Sequence, residues 1–347
     1  MHIYHWVTKM KKYLKLLLLL LMLSLGGLLI VKPQICQKNV AEAIIICGKI
    51  LIPSLFPFGV CMLYILNSGI LGFQSSKFSP ILIVILFFSL IGGYPMGSKL
   101  INEAVKNGCI SPKDGRKMLN YCVNGGPAFI MSAVGCGLLS SKKAGYILLL
   151  SHILASIIIF SFSGKISIKN TSPKQRLSPA DNFVLSASES ASAIISICGF
   201  VILFSVITGY IDYFSDFYPI LRPLIFLTEV TTAVTKTKNI ILISFLLGFS
   251  GLCVWCQVLS VGKNIGINIV SFAAFRFLHG ILSSFFTFIL LKIFPITLQV
   301  FSNGVEFTAK PYVSSEVLGI SLLVMASVFI ISLCSRDKNT KILEEII

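Results

Sequence analysis

Apolar residues run in long blocks along the chain, at about 16–31, 41–71, 79–92, 118–140, 143–162, 184–211, 219–234, 239–262, 267–294 and 317–334, with short polar intervals between them. About twenty apolar residues cross a bilayer as a helix, and most blocks reach or approach that length. Two stop short. "SPILIVILFFSLIGGYPMGSK" begins like a span, then after about twelve residues meets Gly92, Gly93, Tyr94, Pro95, Met96, Gly97, Ser98 and Lys99. "PLIFLTEVTTA" is interrupted by Thr228, Glu229, Thr231 and Thr232. Both are predicted to enter the membrane as helical hairpins and return on the side they came from.

The halves on either side of a polar, basic interval ("SGKISIKNTSPKQRLSPADN", 163–182) repeat weakly. Residues 43–58 align with 193–208, bringing Cys47-Gly48 onto Cys198-Gly199. Residues 123–135 face 248–260, and "LSHILAS" (150–156) faces "FLHGILS" (277–283), with His152 opposite His279. The common order of the matches places the two short segments at corresponding positions.

Basic loops favour the cytoplasmic side. If Lys11, Lys12 and Lys15 start the chain inside, an uncleaved first span exits and 41–71 returns. The first hairpin then leaves Lys106, Lys113, Arg116 and Lys117 inside, with the basic interval and the tail carrying Arg336, Lys338 and Lys341. Lys142 and Lys143 fall outside, against the rule. One half starts outside and the other inside, which makes the repeat inverted. The expected fold is an all-α integral membrane protein: an inverted repeat of gate-type units, two re-entrant helical hairpins and about eight transmembrane helices, with both termini cytoplasmic. Its predicted divisions are 1–40 (first span and loop), 41–163 (first repeat), 164–182 (cytoplasmic linker), 183–297 (second repeat) and 298–347 (loop, last span and tail).

Composition agrees: 55% of residues are hydrophobic, 12% are charged and mean hydropathy is +0.90, far beyond what a soluble chain hides. The net charge of +16 lies in short loops rather than on one face, so it anchors to a lipid bilayer and implies no nucleic-acid partner. Cys47, Cys61, Cys122, Cys136, Cys198 and Cys334 lie in or beside apolar segments as small hydrophobes, and no disulfide framework follows. "CVWC" (253–256) has redox-motif spacing but sits in an apolar helix. With only four histidines, two of them (His2 and His5) in the N-terminal tail, a dedicated metal site is not expected. No nucleotide cradle or nucleophile with its base is visible, so neither a cofactor nor an enzymatic activity is expected.

Irregular backbone at membrane depth survives only where protein or a watery cavity satisfies it, and paired interrupted helices in an inverted repeat point to a transporter with a midplane site. The first tip offers Gly93, Tyr94, Pro95, Gly97 and Ser98. An ascending half-helix there exposes backbone N–H groups to an anion, with Lys99 adding a charge. The second tip offers Thr231, Thr232 and Glu229, whose carboxylate in a span must line a cavity, bind a cation or titrate. Asn124-Gly125-Gly126-Pro127 and Gly248-Phe249-Ser250-Gly251 are further breaks, the latter followed by Gln257. Asn124, Gly126 and Gln257 join the expected substrate-binding set, as does Arg276. Arg276 shares a helical face with His279 and is able to meet an anion, pair with Glu229 or tie helices together; for His279 and His152 packing is the default role. Pro53 and Pro57 are predicted to kink their helix.

At "LIPSLFPF" (51–58), "GGYPMGSK" (92–99), "NYCVNGGPAFIMSAVG" (120–135), "LTEVTTA" (227–233) and "GFSGLCVWCQVLS" (248–260) the chain resembles the YlbJ-type sporulation integral membrane proteins, over roughly residues 40–330. The resemblance implies a gate or nucleoside-recognition domain, similar to repeats in concentrative nucleoside transporters and in the membrane part of ferrous-iron transporters. It also implies a place in the outer forespore membrane and dipicolinic acid as cargo, with effects on spore cortex and core. A planar dicarboxylate suits two opposed tips with Lys99 and Arg276. The alternatives are a nucleoside or metal-ion transporter of the same fold and a non-transporting assembly factor. The coupling ion (H⁺, Na⁺ or none) and homo-oligomerisation stay open.

Overall fold

The computed structural model describes residues 2–68, 80–164, 166–167 and 178–296. The expected last span and basic tail lie outside the described residues. The elements are helices throughout. After α1 (His2–Val31), α2 (Pro33–Ile46) runs through one π-helical turn (Cys47–Leu51) into α3 (Ile52–Asn67). The π turn sits just ahead of Pro53, where a missing N–H breaks the regular ladder, and Pro57 follows inside α3. Next come α4 (Pro80–Gly92) and α5 (Met96–Lys106), then α6 (Pro112–Cys122) and a π-helix (Ala128–Leu138), then α7 (Lys142–Phe162). The second half holds α8 (Pro179–Ser215), a 3₁₀ turn (Pro219–Leu221) leading into α9 (Arg222–Thr228), α10 (Val230–Thr235), α11 (Ile240–Phe249), α12 (Gly251–Val261) and α13 (Ile269–Ile293).

Local chemistry sets several helix starts. Ser111-Pro112-Lys113-Asp114 and Ser178-Pro179-Ala180-Asp181 share one device: the serine hydroxyl accepts from the aspartate N–H at 3.1 Å in both, with proline where no N–H is needed. Asn239 and Asn268 cap α11 and α13 by accepting two N–H groups each.

Five stretches are long and apolar enough to cross a membrane: Pro33–Asn67, Lys142–Phe162, Pro179–Ser215, Ile240–Val261 and Ile269–Ile293. The eight expected crossings resolve against these. The first is the short apolar part of α1, Lys15–Val31, and the last lies beyond the described residues. The block 118–140 is not a continuous span, because Val123–Gly126 leaves the helix and the π-helix that follows, Ala128–Leu138, has only 11 residues. The first and third long stretches, 35 and 37 residues, extend about 52 and 55 Å at 1.5 Å per residue, well beyond a 30 Å hydrocarbon core. They pack on each other, as do α7 and α13.

Polarity is turned inside out. Ser151, Ser156, Ser186, Ser190, Ser244, Ser283 and Thr287 are buried, whereas Leu16–Leu23, Ile195 and Val270 face outward, as lipid on the outside requires. Where glycines face each other, backbones touch: a Cβ on Gly135 would lie 2.5 Å from the Gly145 Cα, and one on Gly248 would lie 2.7 Å from that of Gly280. The nine cysteines among the described residues are free thiols.

Candidate functional site

Four breaks in helical backbone converge. The first tip follows α4: Gly93 takes φ +73°, a cis peptide joins Tyr94 to Pro95, and α5 starts at Met96. Gly93 lies against the second break, where an added Cβ would stand 2.6 Å from the Gly126 nitrogen. In that break Asn124 donates to the Tyr121 carbonyl at 2.8 Å and accepts from Ser156 at 2.8 Å. The third break is Glu229, in extended conformation between α9 and α10, and the fourth is Ser250-Gly251, both with positive φ. These two also touch, since a Cβ on Gly251 would sit 3.3 Å from the Thr228 carbonyl oxygen. Thr208 ties α8 to this tip through the Thr228 hydroxyl at 2.8 Å. Trp255 donates to the Phe249 carbonyl at 3.0 Å, replacing a helical bond lost at the fourth break.

The breaks meet around Tyr94, whose hydroxyl would lie 3.4 Å from a Cβ on Gly125 and whose phenol feels the charges of Glu229 and Arg276. Arg276 reaches across from α13 and donates from Nη1 to the Val123 carbonyl, within the second break. One turn along α13, His279 stacks near His152 of α7 with ring centroids 5.4 Å apart. All three side chains are at most 1% exposed. Among the described residues, seven buried polar side-chain atoms lack a hydrogen-bond partner: Tyr94 Oη, Arg276 Nε and Nη2, and both ring nitrogens of His152 and His279. The Ser244 backbone lies close enough to act on His152, though outside hydrogen-bond geometry. Buried polar atoms are ordinarily satisfied, and each orphan costs about 1–3 kcal/mol. Here the orphans are clustered, predominantly donors, and arranged around a guanidinium.

Of the expected site residues, Gly93, Tyr94, Asn124, Gly126, Glu229 and Arg276 are brought together. The structure corrects the role given to Lys99. Its ammonium points away from the tip, to Glu103 at 2.9 Å and Glu189 of α8 at 3.4 Å. Lys106 completes the network at 3.2 and 3.0 Å from the same two carboxylates. Glu103 is 3% exposed, so Lys99 neutralises a buried acid rather than offering a charge to an anion. Lys99→Ala is expected to cost about 1–3 kcal/mol, the penalty of a buried group that loses a partner, read as a lower melting temperature in detergent. Lys106 remains to hold both acids.

Glu229 is also reassigned. Its carboxylate accepts from the Thr231 N–H at 2.9 Å and the Thr232 N–H at 2.6 Å, capping its own half-helix. Glu229 and those two N–H groups satisfy one another, and no ion pair joins Glu229 to Arg276 among the described residues. Ser98 donates to the Val258 carbonyl at 3.1 Å, Gly97 lies against the Cys122 carbonyl, and Gln257 turns to Cys253 Sγ at 3.3 Å. Only the Ser98–Val258 bond joins the two halves, the others acting within one half, and Pro95 leads into α5. Reading the sequence missed the Val123 carbonyl, Ser156 and the Glu103–Glu189 acids. Glu103 alone had a signal, four residues after Lys99 on one helical face.

With this geometry in view, known proteins were compared. The chain is 23% identical over 330 residues, 78% of its length and 81% of the relative's, to the sporulation integral membrane protein YlbJ of Bacillus subtilis (strain 168). The chain is a distant relative of the YlbJ-type proteins. No family model matches it, and no solved structure does. That relative is an integral membrane protein by name, and the long apolar helices of this chain agree with a place in a membrane.

Proposed function

We propose that the protein is a transporter carrying a small organic anion, dipicolinic acid first among them, across the outer forespore membrane, and that spore core and cortex maturation depend on it. The observation that supports this most is the set of orphaned donors around Arg276, at the point where four helix breaks converge. A carboxylate is the partner that a guanidinium with free Nε and Nη2 accepts best, because the two form parallel charge-assisted hydrogen bonds.

An internal two-fold is part of the reading. Residues equivalent under a two-fold touch each other only on its axis. Two pairs that the repeat alignment equates are neighbours: His152 with His279, and Cys47 with Cys198. The order of elements is also the same on both sides: a long helix, two interrupted pairs, a long helix. The burial of Arg276 makes this a closed arrangement, which transport opens by moving a tip away from its facing break.

The test is uptake of labelled dipicolinate by proteoliposomes containing the purified protein, with nucleosides and Fe²⁺ in parallel. Dipicolinate accumulation above protein-free vesicles is expected. Uptake of a nucleoside or Fe²⁺ instead points to the other cargoes. No uptake of any solute, with positions 92–99 sealed to water-soluble thiol reagents after cysteine substitution, points to an assembly role.

A further inference from the structure

The His152–His279 pair lies outside the anion contacts just described, and its position calls for a chemical role. The imidazoles come from different halves of the chain, on α7 and α13, and their four ring nitrogens have no hydrogen-bond partner. A packing histidine normally donates from one nitrogen and accepts at the other; neither ring does so here. Among the described residues, the groups that bear electrostatically on the two rings are Arg276, the Ser244 backbone beside His152, and the rings themselves. Arg276 in turn interacts with Tyr94, on which Glu229 and Cys253 also bear. From the other packed elements, α11 brings no titratable side chain, the π-helix only Cys136, and α6 ends at Tyr121 and Cys122, with the Tyr121 ring against Phe160.

We propose that His152 and His279 form a one-proton site that is loaded together with the anion, so that the protein moves a dicarboxylate and a proton in the same direction. The inference rests on the anion-transport reading above. The charges decide the stoichiometry. Two imidazolium rings this close in a buried site repel strongly, so the pair holds one proton and not two. With the pair neutral, Arg276 is the single cation facing the anion, the Glu229 carboxylate being held by its own half-helix N–H groups. With one proton on the pair, the site carries two positive charges, matching a dicarboxylate whose two groups bind Arg276 and the protonated ring. The anion supplies the opposite charge that makes protonation favourable, and the proton supplies the second charge that a dianion needs, so each binds better with the other.

Glu229, the expected candidate, already accepts two backbone N–H groups as the cap of its own half-helix. A separate hydroxyl network lies along the α7–α11–α13 seam: Thr287 bonds Ser151 at 2.9 Å and Ser244 at 2.8 Å, and Ser283 donates to the Ser244 carbonyl at 3.1 Å. The polar stripe from Arg276 through His279 and Ser283 to Thr287 follows one face of α13.

The experiment measures dipicolinate affinity of the purified protein by calorimetry from pH 6 to 9. The expected wild-type result is a dissociation constant that rises about tenfold per pH unit above the titration of the pair, the slope of one linked proton. A flat profile with binding intact overturns the proton site and leaves the anion reading standing. Absence of dipicolinate binding at every pH overturns both. His152→Gln and His279→Gln, checked for a monodisperse fold, assign the proton: a flattened slope in either supports the pair, and an unchanged slope in both overturns it. Loss of the slope in Glu229→Gln instead places the proton on the cap and equally overturns the proposal. If the histidine variants do not fold, the wild-type slope and a lumenal pH dye in the uptake assay still decide, since uptake without acidification of the lumen contradicts joint loading.

Discussion

Gly97→Ala is expected to lower the melting temperature of the detergent-solubilised protein by roughly 5–10 °C, from a loss of about 3 kcal/mol. Two effects oppose. Alanine is the better helix former by about 0.5–1 kcal/mol, which favours the substitution in the first turn of α5. Its Cβ, however, would fall well inside van der Waals contact of the Cys122 carbonyl oxygen, with the Ser89 Cβ 2.8 Å away. The obstacle is backbone, so no rotamer change relieves it. Either α5 moves away from α6 or the end of α6 distorts, and both disturb the first tip and the second break together. Gly199→Ala is the internal control: nothing lies within 4 Å of its added Cβ, so the helix-propensity gain stands alone and stability stays level or rises slightly. Equal losses at both positions would show that the close approach of α5 to Cys122 is not what holds this region.

Arg276→Met is expected to abolish dipicolinate uptake while raising thermal stability by about 1–4 kcal/mol, as replacing buried charge by an apolar side chain of similar volume often does. The guanidinium makes one hydrogen bond, to Val123, and leaves two nitrogens unpaired. In a purely structural protein such a group is a net cost, removed with benefit by methionine. In a binding site the same cost is retained because the ligand relieves it. The sign of the stability change is therefore informative along with the loss of uptake. A variant that is both destabilised and transport-competent would make Arg276 a strut between α13 and the second break. Arg276→Lys, which keeps the charge but not the two parallel donors, is expected to bind dicarboxylate more weakly without the gain in stability.

The convergence of orphaned donors explains why a chain this apolar carries so many internal polar groups. Lipid offers no hydrogen bonds, so inward-facing serines, threonines and asparagine are satisfied by carbonyls and by one another, as in Ser156–Asn124 and Thr287–Ser244. The tyrosine, arginine and two histidines at the junction stand apart from this rule, and they are the larger, more reactive groups.

What the sequence by itself determined is where helices form and where they stop. Apolar blocks, Ser-Pro-x-Asp starts, and glycine, proline and asparagine at the interruptions are local signals, read through local backbone preferences and the length a bilayer demands. The breaks at 93–95, 124–127, 229 and 250–251 were legible for that reason, and so was the weak repeat that set His152 against His279. Only the tertiary structure decided which groups those breaks bring together and which charges are already taken. Lys99 reads as a free cation at a helix start until Glu189, ninety positions away in the chain, is placed beside it. Glu229 reads as a membrane carboxylate in need of a partner until its own half-helix turns back to supply two N–H groups. Local preference acts over a few residues, whereas neutralisation and desolvation depend on distance in space, and that distance is set by how the two halves pack.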